Sequence, residues 1–149
     1  MKIKEVSSND LNEIYSLEKK VFDKNAFSKD LIKKLIRTNT FFLKIETKKI
    51  RKEILGFIIV VKDQIDRVNI INFLINPKYH HKGYGTYLLQ RTIQKIKELN
   101  KIKKIVLNVQ LHNLAAINLY RKFGFEILEK IENYYQSKED AYLMEMKLL

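Results

Sequence analysis

The stretch from Val68 to Val109 constrains the fold more than any other part of this chain. Val68 to Ile75 reads as a strand and is ended by Asn76-Pro77. A loop with glycines at 83 and 85 follows. A helix is then expected from about Gly85 to Leu99, with Leu88, Leu89, Ile93, Ile96 and Leu99 on one broad face. Ile105 to Val109 is again a strand. A chain holding strand, glycine loop, helix and strand in this order must build a sheet with a helix packed on it.

The flanking elements extend that plan. Lys2 to Val6 is a short strand, and Ser7 with Asp10 has the spacing of a capping box before Leu11, Ile14, Leu17 and Val21. Ser28 caps a second helix carrying Leu31, Ile32, Leu35 and Ile36. Thr40 to Ile45 and Ile54 to Lys62 form a hairpin around a charged turn. Asn113 opens a last helix running to Phe123, with Gly124 as its C-terminal stop. Glu126 to Tyr135 and Ala141 to Leu148 close the chain as an antiparallel pair. The expected fold is mixed α/β, a mostly antiparallel central sheet flanked by helices in the order β-α-α-β-β-β-α-β-α-β-β. With one proline, four glycines, no linker and no repeat, residues 1–149 are expected to form a single domain.

Composition excludes several function classes. The absence of cysteine removes disulfide scaffolds, thiolate zinc sites, iron–sulfur clusters and cysteine nucleophiles. The longest apolar run, Ile54 to Val61, falls far short of the ~20 residues that span a bilayer. Met1 to Glu5 is not followed by the apolar region of a signal peptide, so the cytoplasm is the expected compartment and no membrane partner is expected. The formal charge of +12 fits either a lysine-rich solvated surface or an anionic partner. Its densest cluster, Lys44, Lys48, Lys49, Arg51 and Lys52, falls at the hairpin turn without a nucleic-acid motif, so direct nucleic-acid binding is not expected.

Two segments can carry chemistry. In the loop His80-His81-Lys82-Gly83-Tyr84-Gly85-Thr86, two glycines two apart let backbone N–H groups converge, and the following helix N-terminus adds partial positive charge. That combination suits a pyrophosphate, although a plain strand-to-helix turn would read the same way. The second segment runs from Asn108 through Asn113 and Tyr120 to Gly124. Asn113 and Tyr120 are seven apart and share a helical face. Capping would also explain Asn113 and Gly124, and core packing would explain Tyr120.

Together the segments resemble the GCN5-related N-acetyltransferases (GNAT). Pro77-x-Tyr79-x-x-x-Gly83-x-Gly85 is similar to their acetyl-CoA loop, and Asn113-x-x-Ala116-Ile117-x-Leu119-Tyr120-x-Lys122-x-Gly124-Phe125 to their later helix. Asn133-Tyr134-Tyr135 and Asp140 to Met144 are similar to the branch that acetylates protein N-termini, including RimI-type enzymes and the Nat catalytic subunits. The resemblance implies acetyl-CoA as co-substrate, no metal, and a peptide or protein N-terminus as partner, a ribosomal protein being one example. It implies that His80, His81, Lys82, Gly83, Tyr84, Gly85 and Thr86 hold the cofactor pyrophosphate. It further implies that Phe73, Leu74 and Ile75 pair with the pantetheine arm, which Asn113 also bonds. Tyr120 would protonate the leaving thiolate, and Phe22, Phe27, Tyr134 and Tyr135 would line the peptide slot.

This chain departs from the family pattern where it matters for proton transfer. His80 replaces the Gln or Arg that begins the loop motif. Asn108 stands where the family has Glu or His, and Asn69 and Asn72 occupy the positions of acidic or tyrosine residues on the preceding strand. An amide accepts no proton at neutral pH, so Asn108 or Asn72 is expected to hold a water as the proton exit. At pH 7.5 roughly a quarter of α-amines are neutral, against about one lysine in a thousand. A site lacking a carboxylate would therefore favour an α-amine. Transfer to lysine or a small-molecule amine, or CoA binding with weak turnover, are the alternatives. His112, beyond the strand, is expected to be an exposed loop residue.

Overall fold

The structure, a computed structural model, describes residues 1–148. Its elements follow the expected order: β1 (Lys2–Glu5), α1 (Leu11–Phe22), α2 (Lys29–Arg37), β2 (Phe41–Glu46), β3 (Ile54–Gln64), β4 (Arg67–Ile75), α3 (Tyr84–Lys97), β5 (Lys104–Gln110), α4 (Leu114–Lys122), β6 (Glu126–Ile131) and β7 (Ala141–Lys147). The helix starts are fixed locally. Asp10 accepts from the Ser7 N–H at 2.9 Å, Ser28 Oγ accepts from Leu31 N–H at 3.1 Å, and Asn113 Oδ1 accepts from Ala116 N–H at 3.2 Å.

The seven strands form one sheet in the order β1-β2-β3-β4-β5-β7-β6. All neighbours are antiparallel except β4 and β5. Helices cover both faces. Ile14, Leu17, Ile32 and Leu35 of α1 and α2 pack with Phe42, Phe57, Ile59 and Leu74. Leu88, Leu89, Ile93 and Ile96 of α3, with Ile117 and Tyr120 of α4, pack with Ile58, Val60, Ile70 and Leu107. Strand β3 is therefore buried on both sides, which explains its unbroken apolar run. Gly56 in β3 is required by close approach: a Cβ there would lie 2.4 Å from the Leu74 carbonyl oxygen.

Two irregularities shape the middle of the sheet. β4 pairs with β5 only from Arg67 to Ile70, opposite Lys104 to Leu107, although both strands continue. Beyond Ile70 and Leu107 they diverge, and each presents an edge of backbone N–H and C=O groups to the gap. In addition, Ile59 pairs with Asn72 while Val60 pairs with Ile70, so β4 carries one extra residue at Ile71. A one-residue insertion reverses the side to which later side chains point. Val68 and Ile70 pack toward α3 and α4, whereas Leu74 packs toward α1 and α2.

Two expectations need correction. The penultimate strand stops at Ile131, not Tyr135. Asn133 takes a left-handed conformation (φ 52°) and its N–H donates to Asp140 at 3.0 Å, so the chain turns there. Leu31 is 39% exposed and lies off the buried stripe of α2, which is formed by Ile32 and Leu35. Leu74 sends its side chain into the α1–α2 core, leaving only its backbone for the gap.

Candidate active site

One end of the gap is the loop from Pro77 to Gly83. A 3-10 turn at Pro77–Tyr79 begins it, and the Tyr79 hydroxyl donates to the Glu53 carboxylate. His80 Nε2 donates to the Ile75 carbonyl at 2.8 Å, so this imidazole braces the loop against β4. His81 and Gly83 have φ of 63° and 83°. These left-handed residues curl the chain into α3, and Gly83 adopts the conformation without a Cβ penalty. No side chain caps α3, in contrast to α2 and α4. The N–H groups of the first turn, from Gly83 to Thr86, thus lack the side-chain acceptor that α2 and α4 have. Its first turn contains no acid, while His81 and Lys82 are exposed beside it. Gly85 is not demanded by packing: a Cβ would meet Ile75 Cγ1 and Phe73 Cζ at 3.5 and 3.7 Å, ordinary contact.

The other end is a cleft enclosing about 90 Å³ beneath α1. Asn72, Phe73, Asn108, Asn113, Tyr120, Phe22, Phe27 and Tyr135 all line it. The structure thus brings together eight of the residues singled out from sequence. Tyr134 stands just outside, its hydroxyl accepting from Asn108 Nδ2 at 3.1 Å and its ring edge-on to Tyr135 at 4.9 Å. His112 is exposed and does not reach the cleft.

Tyr120 is packed between the rings of Phe73 and Phe125, at 6.3 and 5.7 Å. Burial, with Tyr135 nearby, pushes its phenol above the ordinary value, so it stays a neutral donor. Tyr135 is pushed upward in the same way, by burial and then by Tyr134 and Glu139.

The cleft also contains a carboxylate that the sequence reading missed. Glu18, on α1, is 0% exposed and lines the cleft. Its Oε1 accepts from Asn72 Nδ2 at 2.6 Å and its Oε2 from the Phe27 N–H at 2.8 Å. The expectation of a site free of carboxylates is therefore wrong. The Asn72 NH2 group is engaged by this carboxylate. The extra residue in β4 is the cause: it turns Asn72 to the face that α1 covers. The available signal was Glu18 itself, a charged residue between Leu17 and Val21 on an otherwise apolar stripe. Burial pushes this carboxyl above the usual carboxylate range, against the Phe27 N–H and the Asn72 amide, which hold it down.

The chain belongs to the acetyltransferase (GNAT) family, whose model matches residues 9–125. An N-alpha-acetyltransferase from Sulfurisphaera tokodaii is 35% identical over 80 residues, 54% of this chain and 48% of that protein. A spermine/spermidine N(1)-acetyltransferase from Bacillus subtilis is 42% identical over 60 residues, 40% of each chain. The crystal structure of Ard1 from Thermoplasma volcanium has a TM-score of 0.89 at 25% identity, covering 99% of this chain and 97% of that one. This chain spans about half the length of the curated relatives it matches. Among the described residues, no group of three His, Cys, Asp or Glu is placed to hold a metal, and no helix is long and apolar enough to cross a membrane.

Proposed function

We propose that this protein transfers the acetyl group of acetyl-CoA to the α-amine of a protein N-terminus by direct attack. The observation that carries this reading is the gap between β4 and β5. An uncapped helix N-terminus stands at one end, and a cleft of hydrogen-bond acceptors with a neutral phenol stands at the other.

The roles follow from these positions. The N–H groups from His81 to Thr86 receive the cofactor pyrophosphate, with Lys82 adding charge. Gly85 lets a phosphate approach the helix backbone without meeting a side chain. His80 acts through the loop geometry it holds. The free edge of β4 at Phe73, Leu74 and Ile75 pairs with the pantetheine arm, and an N–H there stabilises the oxyanion formed on the thioester carbonyl. Asn113 combines its helix cap with a bond to that arm. Tyr120 donates its proton to the departing thiolate. Phe22, Phe27 and Tyr135 flank the incoming peptide, and Tyr134 orients the Asn108 amide at the cleft.

The test is acetyl transfer to a panel of peptides with free N-termini, including ribosomal-protein N-termini, beside N-blocked lysine peptides and polyamines. Mass spectrometry locates the added group. Acetylation confined to α-amines is the expected outcome. A second reading, transfer to a polyamine, draws on the Bacillus subtilis relative. Acetylation of spermidine without α-amine acetylation would replace the first reading with the second.

A further inference from the structure

The cleft is unbalanced in charge and in hydrogen bonding. Glu18 is buried with two neutral donors, and among the described residues it takes part in no ion pair. Asn108 Oδ1, at the same cleft, is buried with no hydrogen-bond partner. A carboxylate has about four acceptor positions, and Glu18 uses two of them. Buried charges are normally paired, and buried acceptors are normally satisfied. The group that balances both is a cation carrying several N–H donors, small enough to enter between Phe22, Phe27 and Tyr135. An alkylammonium has that character.

We infer that Glu18 is the receptor for the substrate ammonium and the acceptor of its first proton, with Asn108 Oδ1 taking a second N–H. The inference rests on the acetyl-transfer reading above and adds the proton acceptor that Asn108 and Asn72 cannot provide. Glu18 takes one proton from the ammonium and leaves the nitrogen lone pair free. The nitrogen attacks the thioester carbonyl, a C–N bond forms, and the C–S bond breaks. The thiolate leaves with the Tyr120 proton. The nitrogen loses its second proton to the Tyr120 phenolate, and Glu18 returns its own to solvent. One hydrogen remains on the amide, so protons and charges balance.

The environment of Glu18 suits this work. Burial raises its affinity for a proton, which narrows the gap to an amine of reference pKa near 8. The other titratable side chains lining the cleft are Tyr120 and Tyr135, with Glu139 and Tyr134 acting on Tyr135. No lysine, arginine or histidine contributes to the Glu18 shift.

A purely structural role is the rival: Glu18 would only pin the Phe27 N–H and so shape the loop after α1. The two roles separate in a pH profile. Glu18→Gln should lose at least tenfold in kcat/KM for a free-N-terminus peptide at pH 7, with acetyl-CoA affinity preserved and no loss of melting temperature. The deficit should shrink toward pH 9, where the amine is already neutral. A deficit constant across pH, or no deficit, overturns the proposal. A measurement on the wild-type protein alone covers a variant that fails to fold. In the presence of CoA, a peptide should bind at least tenfold more tightly at pH 7 than its analogue in which hydrogen replaces the α-amine. Equal binding overturns the proposal. Wild-type transfer to spermidine alone would instead sink the N-terminal reading, and the Glu18 comparison would then be made with spermidine.

Discussion

Glu18 and Glu46 are both buried glutamates, yet the protein treats them in opposite ways. Glu46, on β2, is 4% exposed and meets Lys4 at 2.9 Å, Lys44 at 3.1 Å and Lys52 at 3.9 Å. Lys44 is shared with Asp10 at 3.0 Å, so strand β1, strand β2 and the start of α1 are tied by one cluster of charge. Burial alone would raise the Glu46 carboxyl, but the hydrogen bonds and charges of Lys4 and Lys44 hold it below the ordinary range. Glu18 has only neutral donors, and burial prevails. The difference separates a finished charge from an unfinished one. A carboxylate that the chain itself neutralises belongs to the scaffold. One that is desolvated and lacks a cation is completed from outside.

The largest expected effect sharpens the catalytic side of this contrast. Tyr120→Phe removes the proton donor from the cleft that Glu18 also lines, while keeping the ring between Phe73 and Phe125. It should lower kcat about 100-fold with acetyl-CoA affinity unchanged, read by steady-state kinetics and calorimetric titration. Loss of affinity at constant kcat would make Tyr120 a packing residue. The next effect falls on the scaffold. Lys44→Met removes a charge-assisted partner from both Asp10 and Glu46. It should cost about 2 kcal/mol, a drop in melting temperature of roughly 4–8 °C for a chain this size, with kcat unchanged. An altered kcat would break the division between the two glutamates.

The smallest effect is a pair of opposite pH trends. The folded state raises Glu18 above its unfolded value, so the folded chain binds that proton more tightly. Stability from this group is lost as pH rises from about 4.3 through the folded value. Glu46 is lowered, so its stabilisation is present above about 4.3 and is lost as pH falls through the folded value. Relative to wild type, Glu18→Gln should therefore gain melting temperature between pH 4 and pH 7. Glu46→Gln should lose it between pH 3 and pH 7. Parallel trends in thermal melts would show that the two sites do not differ in the way described.

The same contrast explains what could be read from sequence. The helix starts at Ser28 and Asn113 depend on neighbours within a few positions, and both were legible. The loop before α3 was legible for the same reason. Glu18 was not, because its partner Asn72 is 54 residues away and faces it only through the extra residue in β4. The sign of that insertion in the sequence is slight: the Ile70-Ile71 pair, which sets Asn69 and Asn72 three positions apart. The end of β6 was misplaced because Asn133 and Asp140 make their turn by a side-chain bond across seven positions. Eight residues singled out from sequence line the cleft, but its carboxylate was not among them.

The divergence of β4 and β5 has a consequence for self-association. An exposed strand edge at a sheet margin can template the addition of one chain after another. Here an edge lies inside the sheet, where the opposite strand limits the space. An extended arm paired there, as proposed for the cofactor, would meet β5 rather than open solvent and would present no fresh rim for the next. The fold thereby keeps a capacity for backbone pairing that saturates at one guest, without the runaway growth that an outer edge invites.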